Sequence, residues 1–441
     1  MSSGCPISVC IALLALAAPA AADTHKVPKE FATIGEAVVA AQPGDTILVS
    51  KGTYLEQVTV GVADLKLVGK QAVIDAEYAG PCLDIQADGV SVSGFKLVNG
   101  TNGLLANGTD ISVSRCEVSN CGLNGMALSG GAFTVSRNTV TTCGQNGIAY
   151  TRSEPGDTLI DRNVCLQCTQ DGIIANGDGI TLTRNRCERN LGRGLFANVL
   201  ALPGDGAPSS APVVVEKNTC SVNDIGVNVT NGTSAAVTVS KNRCSGNAFR
   251  GMIVDGLNAV VTGNVCEDNR DEGLLLLTTG ALVEKNVCSN NRRYGIASSS
   301  SVAVADGGFG DGSDNQLSAN TCKGNGGDGI AVFAGTGNVL DGNKCTGNGD
   351  DGIDLEETAI TGATLSGNTC SDNGHEGIDN AGQLTILTGN VCKHNGAGIG
   401  PDIAGLGDGG LGTVFSFAGN TFDTGGEEEP SRLDNFVPTG P

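Results

Sequence analysis

The 441-residue chain contains 47 acidic and 26 basic residues, which gives a formal net charge of −21. This excess of negative charge argues against nucleic acid and anionic lipid as general partners. Aromatic residues make up 3% of the chain and tryptophan is absent. The sequence therefore excludes an extensive surface of flat aromatic rings.

The N-terminus has the pattern of a secretory signal peptide. Residues 1–22 contain no charged side chain, and an apolar run from Ile7 to Ala18 is followed by a proline and three alanines. This pattern predicts cleavage before Asp23 and export to the periplasm, the cell surface or the medium. No later segment has the apolar length that a membrane span requires.

A short amphipathic helix is predicted next, within a cap at residues 29–45. Thr33 and Glu36 have the spacing of a capping box, and Pro43-Gly44 ends the pattern. The apolar face of this helix consists of Ile34, Ala37, Val38 and Ala41. Such a helix would cover the open end of a repeat structure, whose first unit otherwise exposes unpaired strand edges.

Most of the remaining chain repeats one unit, Asn-x-Cys-x-x-Asn, followed by a few turn residues, a glycine and an apolar triplet. The leading asparagines stand at 138, 163, 185, 218, 242, 264, 286, 320, 343, 368, 390 and 420, with a smallest spacing of 22 residues. A period in the twenties is typical of a solenoid, and the short apolar runs predict three strands per turn. We predict one domain over 23–424, with coils from about 46 to 424 and a flexible tail at 425–441.

The motifs RNVCLQCTQDGI at 162–173 and GNKCTGNGDDGI at 342–353 resemble those of the right-handed parallel β-helix (pectin-lyase-like) family. The resemblance extends over roughly residues 29–422. It implies an all-β, single-stranded right-handed parallel β-helix. Pectate lyases, polygalacturonases, alginate epimerases, copper-associated periplasmic proteins and phage tailspikes share this architecture, so the fold alone does not select a function.

Two kinds of residue are expected to stack from coil to coil. Ten of the 17 cysteines follow a repeat asparagine by two residues, at 165, 187, 220, 244, 266, 288, 322, 345, 370 and 392. We interpret them as buried free thiols, with some disulfides or metal binding as alternatives. The repeat asparagines, and a second set five residues later, predict hydrogen-bonded ladders in which each asparagine itself adopts the left-handed turn conformation.

Candidate chemistry lies in and after the turn that precedes the repeat glycine. In the following strand, Asp354 and Asp379 should point outward on adjacent coils, about 5 Å apart. Two carboxyl groups this close disfavour joint ionisation, so one of them can keep a proton and act as a general acid. Alternatively, they could share a Ca²⁺ ion with Asp350 or Asp351.

The turns GGDGI (326–330), GDDGI (349–353) and GHEGI (374–378) resemble three successive turns of polygalacturonase-type glycosidases. The resemblance implies that Asp328, Asp350 and Asp351 are catalytic carboxylates of an inverting hydrolysis, supported by His375. The same edge provides candidate substrate-binding residues at Phe249, Arg250, Arg293 and Tyr294.

Insertions near 151–156, 198–212, 298–314 and 356–362 fall in one turn and would wall a groove. We predict a monomeric, exported protein that acts on polysaccharide or cell-surface glycan, as a hydrolase of uronic-acid-type glycans. No cofactor is required, apart from the Ca²⁺ alternative. A polysaccharide lyase is less favoured. The alternative from another class is a non-catalytic β-helix that binds glycan or serves as a surface scaffold, which the absence of an Arg-x-Lys substrate clamp in the next coil favours.

Overall fold

The computed structural model describes residues 22–199, 211–233, 235–300, 310–356, 360–396 and 414–422. The predicted signal peptide, apart from its last residue, and the predicted tail lie outside these ranges. The described chain is almost entirely β-structure, with one helix, α1, at Ile34–Ala40. Within it, no helix is both long and apolar enough to cross a membrane.

The strands form two sheets in which every strand pair is parallel. Sheet A contains Thr24–Val27, Thr46–Val49, Gly52–Leu55, Lys66–Asp75, Ser91–Val98, Ser112–Ser114, Glu117–Ser119, Thr134–Ser136, Thr139–Thr141, Thr158–Asp161, Val164–Leu166, Ile180–Thr183, Arg186–Glu188, Val213–Glu216, Thr219–Ser221, Val237–Ser240, Arg243–Ser245, Val260–Thr262, Val265–Glu267, Leu282–Glu284, Val287–Ser289, Gln316–Ser318, Thr321–Lys323, Val339–Asp341, Lys344–Thr346, Thr364–Ser366, Thr369–Ser371, Thr385–Thr388, Val391–Lys393, Val414–Ala418 and Thr421–Phe422. Sheet B contains Val58–Val60, Leu83–Ile85, Leu104–Thr109, Met126–Gly131, Ile148–Arg152, Ile173–Asn176, Leu195–Val199, Val227–Asn231, Met252–Leu257, Leu274–Thr279, Ile296–Ser298, Ile330–Val332, Ile353–Leu355 and Ile378–Asn380.

Each regular coil contributes two strands to sheet A and one to sheet B. In one coil, Val237–Ser240 and Arg243–Ser245 belong to sheet A and Met252–Leu257 belongs to sheet B. The next coil pairs in register, so Cys244 lies beside Cys266 and Met252 beside Leu274. The predicted right-handed parallel β-helix, with three strands per turn, is confirmed.

The core runs along the solenoid axis, and the cysteine ladder forms one of its rows. All ten ladder cysteines are at most 1% exposed, and register pairs connect neighbouring members from Cys165 to Cys392. They are free thiols in the structure. The interpretation as small apolar core residues agrees with this placement.

Both predicted asparagine ladders are present and buried. Asn264 is typical: its Nδ2 donates to the Val239 carbonyl and to Asn286 Oδ1, both at 2.9 Å. Its Oδ1 accepts from the backbone N–H and the Nδ2 of Asn242. Each side chain thus satisfies the polar groups of a bend that is closed off from water.

One detail of the ladder prediction was wrong. The left-handed backbone belongs to the residue before each asparagine, such as Arg137 (φ 59°), Lys241 (φ 55°) and Gly263 (φ 63°). The asparagine must turn its amide into the stack, so the bend falls one residue earlier. Arg137 and Lys241 point to solvent there, which explains why a side chain is tolerated at that bend.

The repeat glycine is required because neighbouring coils approach it closely. A Cβ atom on Gly352 would lie 2.5 Å from the Gly377 carbonyl oxygen and 2.7 Å from Cys370 Cβ. These separations are shorter than a non-bonded contact allows. The glycine therefore fixes where the turn meets the sheet B strand.

Helix α1 packs against the first strands of the solenoid, as predicted for a cap. Thr33 Oγ1 accepts from the Glu36 backbone N–H, and the Glu36 carboxylate accepts from the Thr33 N–H, which confirms the capping box. Ala41 is the C-cap and not part of the helix. Beside it, Asp45 accepts from the backbone N–H groups of Asp23 and Gln42, and its Oδ2 lies 3.0 Å from His25 Nε2.

These contacts should make the N-terminal end sensitive to acid. The hydrogen bond from the Gln42 backbone and the one from His25 lower the pKa of Asp45 to about 2. Because this value is below that of the unfolded chain, the ionised carboxylate stabilises the fold above pH 4, and this contribution is lost between pH 4 and pH 2. We expect Asp45→Asn to lower the unfolding midpoint at pH 6 and to have little effect at pH 2.5. Thermal unfolding at the two pH values measures this, with Asp157→Asn as the exposed control; an equal loss at both would contradict it.

Candidate active site

The site is built on a third ladder, at the position directly before the repeat glycine. In the early coils this position is Asn102, Asn124 and Asn146, and each Oδ1 accepts from the backbone N–H one coil further on. Asp171 follows in the next coil, where it accepts from the Arg193 N–H and pairs with the Arg193 side chain. In the late coils the position again holds acids. Asp328 Oδ1 accepts from the Asp351 N–H at 2.9 Å, and Asp351 Oδ1 accepts from the Glu376 N–H at 2.6 Å.

The late coils bring the predicted catalytic carboxylates together. Asp328, Asp351 and Asp354 each place an oxygen within 4.8 Å of the other two. Asp328 and Asp351 are 3% and 6% exposed, and Asp354 is half-buried. Asp379 follows as the register partner of Asp354 on the next strand, as predicted. We call Asp328, Asp351 and Asp354 the acid cluster.

His375 and Asp350 lie at the open side of the acid cluster. His375 Nδ1 is 2.6 Å from Asp350 Oδ1, and both side chains are exposed. Ligand atoms of Asp350, Asp351 and His375 also lie within 4.8 Å of one another, so Asp351 belongs to both groups. The structure thus places all six predicted catalytic residues in one region.

Burial raises the pKa of each member of the acid cluster. The pKa is about 7 for Asp328, about 8 for Asp354 and about 9 for Asp351. Neighbouring carboxylates add to the effect, and the Glu376 side chain contributes through a hydrogen bond to Asp351. Burial also raises the pKa of Asp379. The cluster therefore retains protons near neutral pH.

This arrangement should weaken the fold as pH rises. A carboxyl group whose folded pKa is raised contributes stability that is full below pH 4 and is lost as pH increases through its folded pKa. Asp354→Asn removes one such group, so we expect the variant to gain stability relative to wild type between pH 5 and pH 9, by about 1–2 kcal/mol at pH 9. Denaturant unfolding at both pH values measures this. The exposed Asp341→Asn should show no pH-dependent gain, and a gain equal in both variants would refute the explanation.

Aromatic and polar side chains flank the acid cluster on its N-terminal side. The Tyr294 and Phe333 rings are 5.4 Å apart and tilted. Tyr294 Oη accepts from Arg293 Nη2 at 3.4 Å and donates to Glu356 Oε1 at 3.5 Å. Since Glu356 belongs to the coil of Asp351, this contact spans the intervening coil of Asp328.

The other predicted substrate-binding residues lie further along the same edge. Phe249 and Arg250 are three coils from Asp328, about 14 Å at strand spacing. The Arg250 guanidinium stacks 4.3 Å from the Phe249 ring centroid and its Nε pairs with Glu272 at 2.5 Å. Glu272 is also 3.4 Å from Arg293. The Arg250 guanidinium is therefore already paired with an acid, Glu272. Of the four predicted substrate-binding residues, Arg293 and Tyr294 are the two that lie next to the acid cluster.

A second, small hydrophobic cluster lies outside the main core. It consists of Ile253, Leu275, Leu277 and Ala297, none of which is more than 9% exposed. Ile225, Tyr294 and Phe333 pack against it. This cluster supports the two rings from beneath.

Three neighbours of the cluster are absent from the predicted site: Glu376, Glu356 and Phe333. Glu376 occupies the same ladder position as Asp328 and Asp351, so aligning the coils on the repeat glycine was sufficient to find it. Phe333 follows its repeat glycine by four residues, on the outward side of the strand. Glu356 carries no sequence signal, because its role depends on how far its side chain reaches.

The insertions predicted to wall a groove all follow strands of sheet B. They come after Ile148–Arg152, Leu195–Val199, Ile296–Ser298 and Ile353–Leu355. Much of three of them lies outside the described residues. The strands that precede the insertions belong to sheet B, the sheet that also carries Asp354.

Fold and site together define a right-handed parallel β-solenoid with a carboxylate cluster on one edge. The family described as the right handed beta helix region matches residues 83–234, 197–306 and 305–422, and the chain belongs to this family. No curated protein matches the sequence.

Several solved structures are similar to this chain at low sequence identity. PfbA, a surface adhesin of Streptococcus pneumoniae, is 12% identical over 81% of this chain and 91% of its own, with a TM-score of 0.45. The A-module of the mannuronan C-5 epimerase AlgE6 of Azotobacter vinelandii is 13% identical over 88% and 93%, with a TM-score of 0.42. XylC in complex with xylose is 11% identical over 78% and 86%, with a TM-score of 0.46.

Proposed function

We propose that the protein is a glycoside hydrolase that acts on polysaccharide outside the cytoplasm through its acid cluster. One observation carries this proposal. In the early coils Asn102, Asn124 and Asn146 accept the same inter-coil hydrogen bond that Asp328 and Asp351 accept in the late coils. An amide would satisfy the backbone there without the cost of a buried ionisable group. Asp171 makes the same bond in an early coil, but there the carboxylate is paired with Arg193. Asp328 and Asp351 have carboxyl groups as neighbours instead, and the use of aspartate at these two positions is explained if its proton and charge are needed.

The pKa order suggests the role of each carboxyl group. Asp351 holds its proton to the highest pH, about 9, and is suited to protonate the glycosidic oxygen as the bond to the anomeric carbon breaks. Asp328 ionises first, at about pH 7, and its carboxylate attacks the anomeric carbon as that bond breaks. Water, which gives a proton to the Asp351 carboxylate, then displaces Asp328 and releases the sugar with a new reducing end. Asp354, beside both, stabilises the positive charge that develops on the sugar ring.

The spacing of the carboxyl groups bears on stereochemistry. Inverting hydrolases usually separate their two carboxyl groups by about 6.5–9.5 Å to hold a water, whereas retaining ones place them about 5–5.5 Å apart. Each residue of the acid cluster places one oxygen within 4.8 Å of the other two, a close approach that is compatible with retention. We propose retention, whereas the polygalacturonase resemblance implies inversion. Proton NMR of the first product formed identifies the anomer.

A product assay tests the proposal. The secreted protein is incubated with pectic, alginate and neutral glycans, and reducing ends and unsaturated products are measured separately. New reducing ends without unsaturated products support hydrolysis. Unsaturated products would instead indicate a lyase, and the absence of any product would favour a non-catalytic scaffold or binding protein.

The expected export and monomeric state are separate parts of the proposal. The apolar N-terminal segment supports export, and gel filtration tests whether the protein is a monomer.

A second candidate function is cation-dependent glycan binding without catalysis. It is favoured by the two ligand groups that share Asp351, since carboxylate oxygens suit a hard ion such as Ca²⁺. Calorimetric titration of the protein with CaCl₂ tests this, and glycan binding that disappears with chelator in the absence of turnover would support it. Hydrolysis that is indifferent to chelator would exclude it.

A further inference from the structure

Beside the acid cluster lies a shelf formed by Tyr294 and Phe333. Both rings are half-buried, with their lower sides packed on the second hydrophobic cluster. Beneath and beside them, Ala297 and Ala331 are 1% and 0% exposed. Ala331 is the register partner of Asp354, so the shelf adjoins the proposed reacting groups directly.

The electrostatics of this shelf are unfavourable to an anion. Tyr294 donates to Glu356, Asp328 is near enough to contribute to the raised pKa of Tyr294, and Asp354 is the register partner of Ala331. The basic side chains named in this region are already engaged, Arg293 by Glu272 and Tyr294 and His375 by Asp350. A free carboxylate placed here would meet the Glu356 carboxylate and, above about pH 7, the ionised Asp328, and like charges at short range repel.

From these contacts we infer that the subsite next to the acid cluster binds an uncharged glycosyl unit, a neutral sugar or an esterified uronate, with its C–H face on Tyr294 and Phe333. This inference rests on the proposed hydrolase function and narrows its substrate class. The rings supply apolar contact to the axial hydrogens, and Glu356 is placed to accept hydrogen bonds from sugar hydroxyls. Tyr294 is then a substrate-positioning residue, and its hydroxyl links Glu356 to the ring.

The test measures binding apart from turnover. The Asp351→Asn protein is titrated by calorimetry with a fully methyl-esterified galacturonan hexasaccharide and with its saponified form, in the presence of chelator. These two probes share the same sugar backbone and differ in the charge of the carboxyl groups and in the methyl groups that esterification adds. We expect the esterified probe to bind at least tenfold more tightly. Equal binding, tighter binding of the free acid, or binding of neither probe would overturn the inference.

Variants locate the binding to the shelf. We expect Tyr294→Ala and Phe333→Ala to weaken binding of the esterified probe about tenfold, and Tyr78→Ala, an exposed tyrosine in an early coil, to leave it unchanged. Unfolding midpoints are recorded for each variant. Phe333→Leu, which keeps apolar volume but loses the ring, replaces Phe333→Ala if that variant is unfolded. Unchanged affinity in the folded Tyr294 and Phe333 variants would show that the shelf does not bind the esterified probe.

Failure here is distinguishable from failure of the proposed function. A wild-type enzyme that releases reducing ends but prefers the free acid would overturn the uncharged subsite alone. Binding of the esterified probe on the shelf, with no hydrolysis of any glycan, would overturn the proposed catalysis while the subsite stands.

Discussion

Asp351→Asn is expected to reduce hydrolysis by a factor of about 10²–10⁴, the contribution typical of a positioned general acid. The variant keeps a side-chain oxygen able to accept from the Glu376 N–H, as Asn146 accepts from the Asp171 N–H in an early coil. Its fold should therefore be retained, and removing a carboxyl group with a pKa near 9 should not lower stability at neutral pH. Initial rates of reducing-end release, together with unfolding midpoints, measure both parts.

The matched control is Asp341→Asn. Asp341 is an exposed carboxylate on sheet A, where it accepts from the Ser366 hydroxyl. We expect full activity in this variant. Equal loss in both variants would indicate a general effect of charge, and full activity in Asp351→Asn would remove this residue from the mechanism.

The same roles define a pH profile for the wild-type enzyme. Asp328 must be ionised, which favours pH above about 7, and Asp351 must be protonated, which favours pH below about 9. Since the groups interact, the profile reports values of the cluster and not of single residues. We expect a bell-shaped dependence of kcat/KM with its maximum near pH 8, and loss of the alkaline limb in any residual activity of Asp351→Asn.

Asn264→Ala is expected to cause the largest loss of stability, about 3–5 kcal/mol. The substitution removes four side-chain hydrogen bonds and leaves the Asn242 backbone N–H and the Val239 carbonyl buried without those partners. Because each coil of a solenoid is stabilised by its neighbours, one damaged interface weakens the whole array. Denaturant unfolding monitored by far-UV circular dichroism measures the effect.

Asn107→Ala is the matched control for the ladder. Asn107 is exposed on the sheet B strand Leu104–Thr109, so its loss should change stability by less than about 0.5 kcal/mol. An unfolding midpoint of Asn264→Ala equal to that of Asn107→Ala would show that the ladder does not stabilise the fold. Asn264 is on sheet A's side of the coil, so folded Asn264→Ala should retain the activity of the acid cluster.

The ladder position before the repeat glycine shows why composition alone does not reveal a site in a repeat protein. The same backbone hydrogen bond is made by asparagine at 102, 124 and 146 and by aspartate at 171, 328 and 351. From the sequence, Asp-Gly looks like ordinary turn chemistry. Its significance comes from two such acids, Asp328 and Asp351, meeting Asp354 of the following strand where water is partly excluded.

The sequence by itself determined the coil. A spacing of 22 residues, Asn264 and its equivalents, the cysteine row and the repeat glycine encode the three-strand turn, since each depends only on identical residues meeting their copies one coil away. After the repeat glycine, side chains alternate between inward and outward directions, and this alternation also placed Asp354 and Asp379 on one outward row. These properties are local or periodic, so they can be read from one amino-acid sequence without knowledge of the fold.

Only the tertiary structure decided which side chains meet between the stacked rows of equivalent residues. Whether Asp328, Asp351 and Asp354 share one space depends on side-chain directions at different positions of two coils, which periodicity does not specify. It also decided that Tyr294 contacts Glu356, 62 residues away, across the coil of Asp328. That contact arises because long side chains span more than one strand spacing, a distance that exists only once the coils are stacked.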